Sequence, residues 1–442
     1  MNRRQFIGFA GAAGALSVSG FPMPYLAKAA ASDAPVSFRD PLSGHLVRRL
    51  SPNPGSHVLY FTDNAFTADG RYMVYDSARG CDVVDLQTFE AAPLIEGPYE
   101  CMMVSRTKNI AYVYHKDAKG GGKDATGLNY YAVSIPDGKV TQIAENMNGT
   151  LFQSNADETL MLGRWQEREY DLQPGPKVAG TDGGYNAIGP DGKPMSFADA
   201  KMYRMAERLK QTIPMEIFTI DLETGKRTTV LRDDRNWLSH VVFSPTDPGQ
   251  IMYCHEGPWQ MVDRIWTVRA DGSAKTNIHH RMMEMEIAGH EFISADGKAI
   301  WYDIQLPQGE DFWLASYDMK TGERIWRHME RNEWSLHFNT TRDGKLIGGD
   351  GAGPELESHA PNGKYIYIYE EELTHDKATL RNGKGDLIRG SKLKSKKLVD
   401  LSTHDYRTEP NVQFSADSKW LTFKSNMHGE IHVYAVEVEK SA

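Results

Sequence analysis

The chain of 442 residues has only three cysteines, Cys81, Cys101 and Cys254. They make neither an even set for a disulfide framework nor a CxxC spacing for a metal, which leaves them as small buried hydrophobes. Net basic charge is absent too. The formal charge is -9, so neither nucleic acid nor a membrane surface is an expected partner, because both select a basic field. A local basic pocket for an anionic ligand stays open. No stretch beyond the N-terminus is long and apolar enough to span a bilayer, so no stable membrane insertion is expected. Sustained helical periodicity is equally scarce. One segment has it, Phe197 to Gln211, with apolar positions Ala200, Met202, Met205, Ala206 and Leu209.

The N-terminus carries paired Arg3 and Arg4, then Phe6 and Ile7, a Gly/Ala-rich run, and Ala27-Lys28-Ala29 before a small-residue tract. This is the pattern of a twin-arginine export signal, taken here as residues 1–31, and it predicts a periplasmic protein that folds before export.

What the chain has in quantity is one repeated grammar: an apolar strand, a turn of Asp, Asn, Gly or Pro, and a second apolar strand. Seven segments follow it, ending at Tyr75, Tyr114, Leu162, Tyr253, Tyr302, Gly349 and Phe423. Several continue into further strands, and where nothing intervenes the period is roughly forty to fifty residues, the spacing of propeller blades. The expected fold is therefore all-β, a seven-bladed β-propeller over residues 36–442 with one helical insertion at about 165–214. A second irregular, Lys-rich stretch, Leu373 to Lys397, reads as a solvated hairpin or loop.

Residues 237–266, WLSHVVFSPTDPGQIMYCHEGPWQMVDRIW, concentrate polar chemistry at the end of a predicted hairpin. Strands are expected at His240 to Ser244 and Gln250 to Cys254, with His255, Glu256 and Arg264 on or beside a loop, where binding groups tend to be displayed. His240, at its strand start, is placed to line the central channel. His279 and His280, being adjacent, point to opposite faces if extended and make a poor chelating pair. Met282, Met283 and Met285 read as core filling. Asp350 reads as a turn-fixing residue or the holder of an arginine. His57 and Tyr60 lie where they can reach the same face, though their spacing does not require it.

The run WLSHVVFSPTDPGQIMYCHEGPWQMVDRIW together with GHEFISADG (289–297), SLHFNTTRDGKLIGGDG (335–351) and VQFSADSKWLTF resembles the oligogalacturonate lyase family of seven-bladed propellers. Similar blocks cover most of the chain after about Val47, and the CHEGP run is the specific one. The resemblance implies β-elimination on short galacturonate oligosaccharides, which asks for a base to remove the proton next to the carboxylate and for positive charge to stabilise the transition state. By motif position it implies that His290 is the base, that Arg264 lies near the substrate carboxylate, and that His337 is one ligand of a catalytic manganese. His255, Glu256 and His240 would contact substrate or orient loops beside it.

The last blade departs from the family pattern. Where the family has a Gln and two His ligands, this chain reads Tyr406-Arg407-Thr408-Glu409-Pro410-Asn411. His337, Glu409 and Asn411 still form a set that suits manganese or another hard divalent cation. An alternative dispenses with metal: Arg407 and Arg264 neutralise the carboxylate, Tyr406 acts as acid or base, and the substrate is a different acidic glycan. A further alternative is a non-catalytic propeller that binds sugar or protein.

Overall fold

The repeated turns have a common chemistry. In the computed structural model, which describes residues 34–115, 127–170, 188–189, 191–193, 195, 197–353, 360–372 and 387–441, a hydroxyl bonds an aspartate two residues on, which in turn accepts a backbone N–H beyond the turn. Ser294 with Asp296, Thr341 with Asp343 and Ser415 with Asp417 each do so at 2.7 Å. The following residue is in the left-handed region, at φ 71° for Gly297 and 68° for Gly344. Such local side-chain bonds fix a reversal before any long-range contact forms.

Between these turns the β-branched and aromatic runs pair as antiparallel strands in six hydrogen-bonded sheets. The eight-stranded sheet is two blades joined edge to edge by the parallel pairing of Arg324–His328 with Arg389–Asp400, so the blades number seven. Blade four comprises Trp237–Phe243, Gln250–Glu256, Ile265–Arg269 and Thr276–Asn277. Blade five comprises Ile287–Ile293, Ala299–Gln305, Phe312–Asp318 and Arg324–His328. Blade six runs from Phe338–Thr340 to Arg389–Asp400, and part of the Lys-rich stretch expected as a hairpin or loop lies in that last strand of 12 residues, antiparallel to Tyr365–Glu372. Blade seven is closed by both ends of the propeller: Leu46–Arg49 pairs with His432–Glu437.

Apolar clusters sit between adjacent blades. Leu162 and Ile217 of blade three meet Val241, Phe243, Ile251 and Tyr253 of blade four, and each such fully buried side chain contributes roughly 1.5–3 kcal/mol. All three cysteines are buried and free. Met282, Met283 and Met285 are not core: they are exposed in the connection between blades four and five.

The insertion leaves blade three after Leu160–Gln166 and returns at Met215–Asp221, its neck closed by Glu167 N–H donating to the Pro214 carbonyl at 2.9 Å. Its helix spans Phe197–Leu209. Met205 packs against Trp259 and Ile287, so the helix docks on blades four and five rather than standing apart. No helix among the described residues is long and apolar enough to cross a membrane.

Candidate active site

The innermost strands of blades four and five carry the same irregularity. Pairing slips between Ser239 and Val242 in one and between Gly289 and Phe292 in the other. His240 and His290 sit in these bulges at φ 45° and 46°, a conformation a branched or ring side chain adopts only when its surroundings impose it. The bulges bring both histidines into one cluster. Tyr60 lies 6.0 Å from His240 and 5.6 Å from His337, ring to ring, and His337 lies 5.2 Å from His290.

His290 Nδ1 is 2.9 Å from Asp303 Oδ1. With Nδ1–H donating there, Nε2 is left with the lone pair. Burial opposes charging of this imidazole, but the Asp303 carboxylate more than offsets it, and the pKa of His290 lies above the ordinary histidine value. Trp259 flanks the ring at 5.7 Å.

Arg264 is buried between two carboxylates, Glu256 Oε1 at 2.6 Å and Glu291 Oε2 at 2.9 Å. Burial pushes Glu256 up, yet Arg264 and His240, 3.2 Å away, hold it well below the usual carboxylate range. Arg264, expected near the substrate carboxylate, is held here by these two protein carboxylates. Neither Glu291 nor Asp303 was singled out in the sequence, because each earns its place through a partner on another strand.

His337 precedes the first strand of blade six. Asp350 accepts from its backbone N–H at 2.7 Å and lies 2.8 Å from its Nδ1, so Asp350 holds a histidine rather than an arginine and fixes the tautomer that frees Nε2. That Nε2 faces Glu409 Oε2 at 3.7 Å. Asn411, at φ 57°, donates its backbone N–H to the same Asp350. Its Oδ1 is buried without a hydrogen-bond partner. Gly351 has no room for a Cβ, which would lie 2.6 Å from Tyr406 Oη.

Tyr406 is fully buried and its hydroxyl donates to the Asp350 carbonyl at 2.8 Å. Arg407 is exposed and pairs with its neighbour Asp405. His255 and Glu256 end their strand beside the loop, as expected, and they point to opposite faces. Glu256 enters the cluster, while His255 packs on Trp266, ring to ring at 4.9 Å. His279 and His280 take separate partners, Glu286 and Asp263.

The donor set fits a divalent cation on its own terms. Glu256, Glu291, Asp303, Asp350 and Glu409 surround the histidines, with the guanidinium of Arg264 already held between two of them. An anionic substrate needs more positive charge than this. His337 Nε2, the Glu409 carboxylate that faces it, and Asn411 Oδ1, buried with no hydrogen-bond partner among the described residues, are the ligand atoms that suit it. A second group, His240, Cys254 and Glu256, has ligand atoms within 4.8 Å of one another. Burial keeps the Cys254 thiol protonated and Glu256 is committed to Arg264, so this second group is the poorer host for a hard cation.

The fold and cluster define a seven-bladed propeller with a histidine–carboxylate centre at one mouth of its channel. The chain belongs to the oligogalacturonate lyase family, whose model matches residues 191–442. It is 24% identical over 423 residues to an oligogalacturonate lyase of Dickeya dadantii (strain 3937), covering 92% of this chain and 96% of the relative. The same identity and coverage relate it to an oligogalacturonide lyase of Pectobacterium atrosepticum. A solved oligogalacturonate lyase in complex with manganese superposes with a TM-score of 0.68 at 22% identity, covering 91% of this chain and 96% of that one. An oligogalacturonate lyase from Vibrio parahaemolyticus does so with the same values.

Proposed function

We propose that this chain cleaves short oligogalacturonates by β-elimination, with His290 as the base. The observation that carries this is the His290 ring, oriented through Nδ1 by Asp303 and set 5.2 Å from His337. Nε2 takes the proton from the carbon next to the carboxylate. The electron pair forms the ring double bond, the bond to the glycosidic oxygen breaks, and that oxygen leaves with a proton from water. A positioned base of this kind contributes about 10²–10⁴-fold.

His337, Glu409 and Asn411 would hold a divalent cation, and manganese is the choice supported by the manganese-bound relative. Bound there, the cation supplies the positive charge that makes the carboxylate's neighbouring proton acidic. His240 and Glu256 border the same space and set its shape. The substrate is an acidic oligosaccharide, and the net charge of -9 disfavours nucleic acid.

The test is ultraviolet absorbance of the unsaturated product from di- and trigalacturonate, with and without manganese, for the wild type and His290→Ala. Product formation that needs the metal and is lost in the variant supports the reading. No product under any metal overturns it. Export to the periplasm is proposed from Arg3 and Arg4, which lie outside the described residues; cell fractionation of an Arg3→Lys/Arg4→Lys variant checks it.

A further inference from the structure

We infer that the cavity beside His240 is a second uronate subsite, in which Arg208, with Arg164, binds the carboxylate of the sugar unit next to the one attacked. The inference rests on the lyase reading and names where the rest of the oligomer lies. The cavity has a volume of about 360 Å³, within the roughly 300–1,000 Å³ of small-molecule sites. Tyr60 and His240 line it on one side, so it opens directly onto the cluster that holds His290 and His337. Arg164, Arg208, Trp237, Glu169 and Asp63 also line it, the Asp63 carboxylate accepting from Gln153 Nε2 at 2.8 Å.

Arg208 is the unusual member. It is 3% exposed, carried by the inserted helix, and stacked 5.4 Å from the centre of the Trp237 ring. Among the described residues it forms no ion pair; its Nη2 donates only to the Met215 sulfur at 3.4 Å, a weak acceptor. Burial, and then the like charges of Arg164 and Arg168, push its pKa down to about 10. Arg164, also buried, donates to the Leu238 carbonyl at 3.2 Å and lies over Phe152.

A desolvated guanidinium beside another is unfavourable until an anion joins it. A carboxylate matches the guanidinium fork, and Trp237 offers a flat apolar wall for a sugar face. Every unit of an oligogalacturonate carries such a carboxylate. The exposed Glu169 at the rim would disfavour any ligand that lays its charge there, which directs the anion inward.

The experiment compares trigalacturonate with the same trimer methyl-esterified on a unit that is not attacked. Steady-state kinetics and calorimetry are run on the wild type, Arg208→Met, Arg208→Lys and the exposed-site control Lys210→Gln. The expected result is a KM for the free acid raised about tenfold or more in Arg208→Met, kcat within about twofold, partial recovery in Arg208→Lys, and no change in Lys210→Gln. The wild type should prefer the free acid, and Arg208→Met should not. Equal affinity of the wild type for the two trimers overturns the subsite even if Arg208→Met fails to fold. A wild type that turns over neither trimer defeats the lyase reading instead; calorimetric binding that still depends on Arg208 and the free carboxylate then sustains the subsite, and absence of binding overturns it.

Discussion

His240 and His290 are the same residue of two neighbouring blades: each occupies the bulge of an innermost strand, at φ 45° and 46°, and each faces a carboxylate of the next strand, Glu256 at 3.2 Å and Asp303 at 2.9 Å. A left-handed non-glycine residue costs about 1–3 kcal/mol. Asn tolerates that conformation and keeps a donor toward Asp303. His290→Asn should therefore melt within a few degrees of the wild type while product formation falls at least about 100-fold, measured by thermal unfolding beside the absorbance assay.

The acidic limb of the pH profile should answer to Asp303. Its charge favours the imidazolium and raises the pKa of His290, whereas a base must be neutral. Hence kcat/KM rises as pH climbs through that raised pKa. Asp303→Asn should move the limb to lower pH and lower the plateau, read from kcat/KM against pH.

Metal affinity should depend on a residue that does not touch the metal. Asp350 holds His337 through both its backbone N–H and Nδ1, and loss of such a partner typically costs 10–100-fold. Calorimetric titration of manganese into Asp350→Asn should show a weakening of about that size. Glu409→Gln should weaken it as well, and Glu409→His should favour softer cations such as zinc.

Acid should destabilise the fold before carboxylates are lost. Burial lowers His255 to about 4 and His404 to about 4. The unfolded chain therefore binds more protons than the folded one between about pH 6.5 and about 4, and stability falls as pH drops through that window, by up to roughly 3 kcal/mol for each histidine. Urea unfolding at pH 7 and pH 5 measures this, and His255→Gln should flatten the slope.

Arg264 links two buried glutamates. Arg264→Leu strands both charges, and breaking a buried pair from one side costs about 3–5 kcal/mol. A drop of that order in the denaturant midpoint is expected, larger than that of Glu256→Gln, which leaves Arg264 with Glu291.

The blades were legible because their turns are local: hydroxyl, aspartate and glycine within a few residues set each reversal, and period-two apolar runs do the rest. The helix was legible from its periodicity and ends two residues earlier than expected. The site was legible only in part. Adjacent His255 and Glu256 must point opposite ways, but nothing local says which one faces the channel. Tyr406 drew a functional expectation because it stands where the family pattern has a Gln; its buried hydroxyl donates to the Asp350 carbonyl, a contact nothing local in the sequence announces. The bulges that aim His240 and His290 arise from pairing with the following strand, where Ser239 meets Cys254 but Val242 meets Met252, and Gly289 meets Asp303 but Phe292 meets Trp301. The methionines after His280 carry core chemistry in a connection that passes over the surface.

Blade seven mixes strands from far ends of the sequence, since Val47 opposes Val436 and Arg49 opposes Tyr434. One edge of residues 46–49 can pair early with residues 37–39, but the other must wait until residues 432–437 have left the ribosome. Six blades can stack during synthesis, but the ring is an arc until that late registration. The Asp350–Asn411 contact that ties blade six to the loop entering blade seven belongs to this final step. The proposed metal ligands Glu409 and Asn411 are thus assembled last, and a nascent arc would offer a divalent ion only a fraction of its eventual cage.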